Sequence, residues 1–246
     1  MIKKIKKFIP ESIKKILRPV SRNFFVKIEK EKIRDLEKYF KLNRRQIISL
    51  LKKGGELDAS YWLCAKPEKS EVENFYSESP FCVFNHIFWH GLKYQKKLRQ
   101  RIVKLARGKV LDYGGGTGYL SLKLVQEGFE VEYADIGGRT FEYAKWLFGQ
   151  RGRAVKMIDV VKENLSADYG TIVCIDVIEH VKDPKKVLKD FSERLGTGGR
   201  LIITALHPDI SDKAPMHYPI EFNPEEYLES LGFLKDEKEE FLWVKR

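Results

Sequence analysis

The stretch VLDYGGGTGYL, residues 110–120, constrains this chain more than any other. It passes from an apolar triplet through Asp112 into four closely spaced glycines, then into an apolar helical pattern. Gly114, Gly115, Gly116 and Gly118 carry a large unfolded-chain entropy. Such a turn is either a loose surface loop or a place where backbone must approach a ligand at the mouth of a helix. The rest of the chain decides between these. From Gly108 onward, strand-like runs at 109–113, 130–135, 154–158, 169–176 and 199–205 alternate with helical runs at 119–127, 141–148, 164–168 (weak) and 185–195. That alternation predicts right-handed βαβ units. The expected fold class is therefore α/β, with a doubly wound, mostly parallel, Rossmann-like sheet. A helix from Pro224 and a hairpin-like pair close the chain.

In such sheets ligands sit beyond the carboxyl ends of the strands, near the point where strand order reverses. The glycine turn lies at such an end. Asp135 closes the second strand 21 residues after Gly114, the spacing at which an acid takes a ribose hydroxyl pair in nucleoside-binding sheets. The glycines read G-x-G-x-G over 114–118 rather than G-x-G-x-x-G, and no Walker lysine follows them. A dinucleotide fingerprint and a phosphate-cradling P-loop are both disfavoured.

The ordered set LDYGGGTG, VEYADI, VKMIDV, TIVCIDVIEHVKDP and GGRLIITA resembles the class I S-adenosylmethionine-dependent methyltransferases, over roughly residues 95–246. The resemblance implies S-adenosyl-L-methionine as cofactor and assigns a role to each matching position. Asp112 would orient the methionine end, and Gly114, Gly116 and Gly118 would form the turn beneath it. Asp135 would bind the ribose hydroxyls and Ile136 would pack on adenine. Asp159 would accept from the adenine amino group, and Asp176 would lie near the methionine portion and the reaction centre. Tyr113 departs from the aliphatic residue usual in the family.

DVIEHV places Asp176, Glu179 and His180 where the transferred methyl is expected. Methyl transfer to oxygen needs an acceptor proton removed, which suits a histidine. The same cluster can hold a divalent ion, Mg or Zn, through carboxylates and imidazole. It resembles the E-x-x-E-H element of metal-assisted O-methyltransferases of ubiquinone synthesis and of small-RNA 2′-hydroxyl ends, with Asp176 in place of the first Glu and His207 as a fourth ligand. Three readings stand side by side: helix-start hydrogen bonding, a metal set of Asp176, Glu179, His180 and His207, and catalysis by His180, His207 and Glu179 without metal. The polar, proline-punctuated segment 207–226 offers His217 and Tyr218 to the acceptor.

The first part of the chain differs in character. Residues 1–53 hold 18 Lys and Arg against 5 Asp and Glu, while the remainder holds 28 against 30. The formal net charge of +11 therefore belongs to a tail. MIKKIKKFIPESIKKILRPV is a basic amphipathic stretch cut by Pro10 and Pro19, suited to an anionic membrane surface, to the protein body or to nucleic acid. Residues 24–53 read as helix ending at Gly54-Gly55. The aromatic-rich stretch at 73–105 reads in its later part as a helix leading up to Gly108, with most of Phe84, Phe88 and Trp89 in the core. The expected organisation is a basic helical extension (1–55), a helical cap over the substrate (56–106) and the S-adenosylmethionine-binding domain (107–246). Three widely spaced cysteines and no cleavable signal pattern suggest the cytoplasm, with peripheral contact at the inner membrane surface through the tail. The expected activity is O-methylation of a small-molecule, lipid-linked or glycan acceptor. An RNA methyltransferase holding phosphates with its tail, an NAD-dependent oxidoreductase and a non-catalytic module of the same fold are the alternatives.

Overall fold

The computed structural model describes residues 28–65, 72–208 and 216–246. The basic amphipathic segment at 1–20 and the first residues of the 24–53 helix lie outside them. Among the described residues, five helices precede the sheet: α1 (Lys30–Phe40), α2 (Arg44–Ala65), α3 (Val72–Glu78), α4 (Cys82–His90) and α5 (Lys93–Leu105). Then come β1 (Val110–Tyr113), α6 (Tyr119–Gln126), β2 (Val131–Asp135), α7 (Arg139–Gln150), β3 (Lys156–Asp159) and β4 (Tyr169–Cys174). After a 3₁₀ turn at Ile178–His180 follow α8 (Pro184–Arg194), β5 (Leu195–Ile203), α9 (Pro224–Ser230), β6 (Phe233–Lys235) and β7 (Leu242–Lys245).

The seven strands form one sheet in the order β3-β2-β1-β4-β5-β7-β6. Neighbours among β1 to β5 pair in parallel, and β7 runs antiparallel to both β5 and β6. Helices cover both faces, so β1 and β4 are almost wholly buried and read as near-continuous apolar runs. The strand order reverses between β1 and β4. The carboxyl ends of β1, β2 and β3 end in step, because Asp112 pairs with Tyr133 and Asp135 with Asp159. That register gathers the acidic strand ends along one crevice.

The N-terminal helices are built onto this sheet. Ile33, Leu36, Ile47, Leu51, Phe84 and Ile87 share one buried cluster with Tyr143, Ala144, Leu147 and Phe148. The latter four recur at i, i+1, i+4 and i+5 on the buried face of α7. Asp35 of α1, itself buried, accepts from Tyr119 at 2.8 Å and from Arg151 at 2.6 Å.

Three expectations change. The helix read across 24–53 is two helices: Lys41 takes a left-handed φ of 53°, and Asn43 and Gln46 then cap α2 reciprocally, at 3.1 and 2.9 Å. Gly54-Gly55 does not end a helix but lies inside α2. A Cβ on Gly54 would sit 2.9 Å from the Asn85 backbone nitrogen, so glycine is there to let α2 pack on α4. Residues 164–168 form no helix, and Asp168 turns into β4 with φ of 61°.

Candidate active site

Asp112 and the glycine turn open a cavity of about 1670 Å³ at the carboxyl ends of the strands. Gly114, Gly116 and Gly118 have φ of 68°, 54° and 76°, a region other residues rarely enter. At Gly114 any side chain would also collide with Val177, whose Cγ2 lies 2.3 Å from an added Cβ. The turn is therefore a built cradle, not a loose loop. Gly116 N–H donates to Asp135 Oδ2 at 2.7 Å and Ile136 N–H to Asp135 Oδ1 at 2.8 Å. Ser121 donates to Asp112 at 2.5 Å. Burial pushes both Asp112 and Asp135 up to about 6 despite these donors.

Asp159 faces Asp135 across the β2–β3 register and receives Gly137 N–H at 3.2 Å and the Lys162 ammonium at 2.7 Å. Ile136 lines the cavity beside them. Tyr113 packs edge-on to Phe191 with ring centroids 5.0 Å apart.

Asp176 has a left-handed φ of 54°, a strained backbone for a non-glycine residue. It is held there by Thr204, which accepts from its N–H at 2.9 Å and donates to Oδ1 at 2.8 Å. Gln95 of α5 donates to Oδ2 at 2.8 Å. Arg99, one turn further along α5, faces Asp112 and Asp176; burial lowers its pKa to about 10, and it remains a cation at neutral pH.

His180 follows the strand β4 end. Its Nδ1 lies 3.2 Å from the Met216 carbonyl, which can only accept, so Nδ1 carries the proton and Nε2 keeps its lone pair. The Tyr76 hydroxyl of α3 stands 3.3 Å from that Nε2 and 3.0 Å from Nδ1. Burial drives His180 down to about 4 and Glu179 up to about 8. At neutral pH the imidazole is uncharged.

The structure separates His207 from this group. Its imidazole is 68 % exposed and pairs with Glu225 at 3.8 Å. His217 is the histidine that arrives instead: ligand atoms of Glu179, His180 and His217 lie within 4.8 Å of one another. Asp176 is not part of that set, because its carboxylate is engaged by Gln95 and Thr204. Trp89, expected in the core, is 49 % exposed and lines the cavity. Tyr76, Gln95 and Arg99 carried no motif, and their sequence signal was only membership of helices preceding the glycine turn.

Comparison with known proteins agrees with this fold. The methyltransferase-domain family model matches residues 88–233, more than half of the chain. The chain belongs to the class I S-adenosylmethionine-dependent methyltransferases. Among curated methyltransferases it is similar to the ubiquinone biosynthesis O-methyltransferases of Idiomarina loihiensis, 27% identical over 42% of this chain and 44% of that one, and of Proteus mirabilis, 29% identical over 45% and 46%. The match thus spans under half the length of these relatives. Among solved structures of methyltransferases, the magnesium protoporphyrin IX methyltransferase of Synechocystis PCC 6803 with bound S-adenosylhomocysteine superposes with a TM-score of 0.55 at 18% identity, over 73% of this chain and 100% of that one. The Haemonchus contortus phosphoethanolamine N-methyltransferase 2 gives 0.52 at 20% identity, over 62% and 41%. At such identities the likeness concerns the fold. No helix among the described residues is long and apolar enough to cross a membrane.

Proposed function

We propose that this chain is an S-adenosylmethionine-dependent O-methyltransferase whose acceptor is a small molecule or glycan bearing a hydroxyl. The observation that carries the reading is the meeting, in one cavity, of the Asp112–glycine–Asp135 cradle with an uncharged His180. The cavity exceeds the roughly 300–1,000 Å³ that one small ligand occupies, leaving space for cofactor and acceptor together. The ubiquinone biosynthesis relatives, named as O-methyltransferases, point to oxygen as the acceptor atom.

Bound S-adenosylmethionine would supply an electrophilic methyl on a sulfonium. Asp112 and Arg99 suit its ammonium and carboxylate, Asp135 its ribose hydroxyls, Ile136 and Asp159 its adenine, and Gly114, Gly116 and Gly118 the turn below. Asp176, fixed by Gln95 and Thr204, borders the reacting centre. His180 Nε2 would take the proton of the acceptor hydroxyl, leaving its oxygen to receive the methyl. Tyr76 and the Met216 carbonyl orient the ring, which keeps Nε2 aimed. Residues 56–106 then act as the cap that brings Tyr76, Gln95 and Arg99 to the 107–246 domain, and residues 1–55 carry the basic extension.

A divalent ion is the second reading, favoured by the two imidazoles and one carboxylate gathered at Glu179, His180 and His217 and by the unpartnered Glu179 Oε2. An ion there would acidify the acceptor hydroxyl. The test is incubation of the full chain with methyl-labelled S-adenosylmethionine and a panel of phenols, glycosides and amines, with and without EDTA. Label in an alkali-stable ether supports the reading, and label on nitrogen overturns it. Loss of transfer with EDTA selects the metal.

A further inference from the structure

Helix α4 lays His86 against the glycine turn. A Cβ added at Gly116 would stand 3.1 Å from His86 Nδ1, so the imidazole fills the space that a side chain on the turn would take. The ring is held there from behind. Gly54 lets α2 approach α4, its added Cβ falling 2.9 Å from the Asn85 backbone nitrogen. Buried Asp58 of α2 then accepts from Asn85 Nδ2 at 3.2 Å, from Cys82 Sγ at 3.5 Å and from the Ser79 hydroxyl. His90, one turn further along α4, stacks on His86 with ring centroids 6.3 Å apart. An imidazole fixed in this way has little freedom left to lose when a ligand meets it.

His86 lines the cavity, and among the described residues neither of its ring nitrogens has a hydrogen-bond partner or is shut off from solvent. His180 differs, since its Nδ1 meets the Met216 carbonyl. The charged side chains whose fields reach His86 are Asp58, Arg99 and Asp176, and its own field reaches His180. Arg99 and Asp176 belong to the methionine end of the proposed cofactor site. Burial holds His86 below the ordinary imidazole range, so the ring is uncharged at neutral pH and keeps one nitrogen as an acceptor. No protein partner dictates which nitrogen that is. The amino-acid end of S-adenosylmethionine carries a carboxylate, which suits the Arg99 cation, and an ammonium, which can only donate. Asp112, already engaged by Ser121 at 2.5 Å, offers that ammonium one carboxylate for several protons.

We propose that His86 is a cofactor-binding residue that accepts a hydrogen bond from the ammonium of S-adenosylmethionine across the glycine turn. The inference rests on the methyltransferase reading of the same cavity and adds a contact supplied by the helices before the sheet.

Calorimetric titration of the full chain tests it, with S-adenosylhomocysteine and with its deaminated analogue, which keeps the carboxylate and has hydrogen in place of the ammonium. His86→Phe and His86→Leu each remove both nitrogens, and either suffices; His86→Gln keeps an acceptor. In the first two, S-adenosylhomocysteine affinity should fall about tenfold to a hundredfold, the size of one hydrogen bond to a charged group, while the analogue stays within about twofold of its affinity for the parent chain. Retained binding of the analogue also shows that a variant is folded. His86→Gln should lose less than either. Unchanged S-adenosylhomocysteine affinity, or equal weakening of both ligands in a variant whose thermal melt matches the parent chain, overturns the contact. Failure of the parent chain to bind S-adenosylhomocysteine overturns the methyltransferase reading instead.

Discussion

The Tyr76 hydroxyl lies 3.0 Å from Nδ1 and 3.3 Å from Nε2 of His180, linking a helix that precedes the sheet to the end of β4, 104 residues later. Their rings also meet edge to face, with centroids 4.9 Å apart. Tyr76→Phe keeps the ring contact and removes the hydroxyl. It is expected to lower kcat by about tenfold to a hundredfold, the cost of a small misplacement of a catalytic group. KM for S-adenosylmethionine should not change. Steady-state kinetics on the variant check both halves, and a raised KM with unchanged kcat would reassign Tyr76 to binding.

His180→Ala removes the proposed base. Transfer should fall by about 10²–10⁴-fold, the usual contribution of general base catalysis. Calorimetry should find S-adenosylhomocysteine affinity intact. His207→Ala, by contrast, alters an exposed side chain paired with Glu225 and should leave turnover within about twofold, as surface substitutions away from a site do.

Acid should move stability and cofactor affinity in opposite directions. Asp112 and Asp135 both sit at about 6 in the folded chain because they are buried, above the roughly 3.9 of an unfolded aspartate. A carboxyl raised in this way holds more protons folded than unfolded. Its contribution to stability is full below about pH 4 and is lost as pH rises through 6. The cofactor's ammonium and ribose hydroxyls favour the charged carboxylates instead. S-adenosylhomocysteine affinity should therefore fall below pH 6, by about tenfold per pH unit for each carboxylate that must be ionised. Titration calorimetry from pH 5 to 8 measures it, and Asp112→Asn should flatten part of the slope.

Gly114→Ala tests the cradle. The residue has φ of 68°, and its Cβ would stand 2.3 Å from Val177 Cγ2. Strain and clash together should remove detectable cofactor binding and cost about 1–3 kcal/mol of stability. Adding Val177→Ala relieves the clash but not the strained φ. The double variant should recover part of the stability by chemical denaturation, and no recovery would show that the φ alone decides.

Asp35 anchors the first described helix through Arg151 and Tyr119. Asp35→Ala removes a shared acceptor, leaving Arg151 with Glu31 at 2.8 Å and Tyr119 with the Tyr143 hydroxyl at 3.0 Å, and should cost about 2 kcal/mol, as for hydrogen bonds to a charged group. Urea denaturation reads the loss directly.

The meeting of Asp112, the glycine turn and Asp135 at one cavity was legible because it is local. One strand, one turn, one helix and one more strand carry Asp112, the glycines and Asp135, and βαβ geometry allows few other arrangements. The surroundings of His180 depend on how the described helices before the sheet settle across the strand ends, and no spacing encodes that. His180 meets the Met216 carbonyl at 3.2 Å, and the neighbouring His217 lies beside Glu179, while His207 pairs with Glu225 outside the group. Gly54 looked like a helix end because glycine usually serves there, whereas a helix–helix contact had claimed it. The break at Lys41 was readable in principle, since Asn43 and Gln46 form a capping box.

Calorimetric titration of the full chain with S-adenosylhomocysteine and, separately, with NADH tests the central claim most directly. The account predicts micromolar binding of S-adenosylhomocysteine, weakened about a hundredfold in Asp135→Ala as charged hydrogen bonds are lost, and no binding of NADH. NADH binding without S-adenosylhomocysteine binding would contradict it.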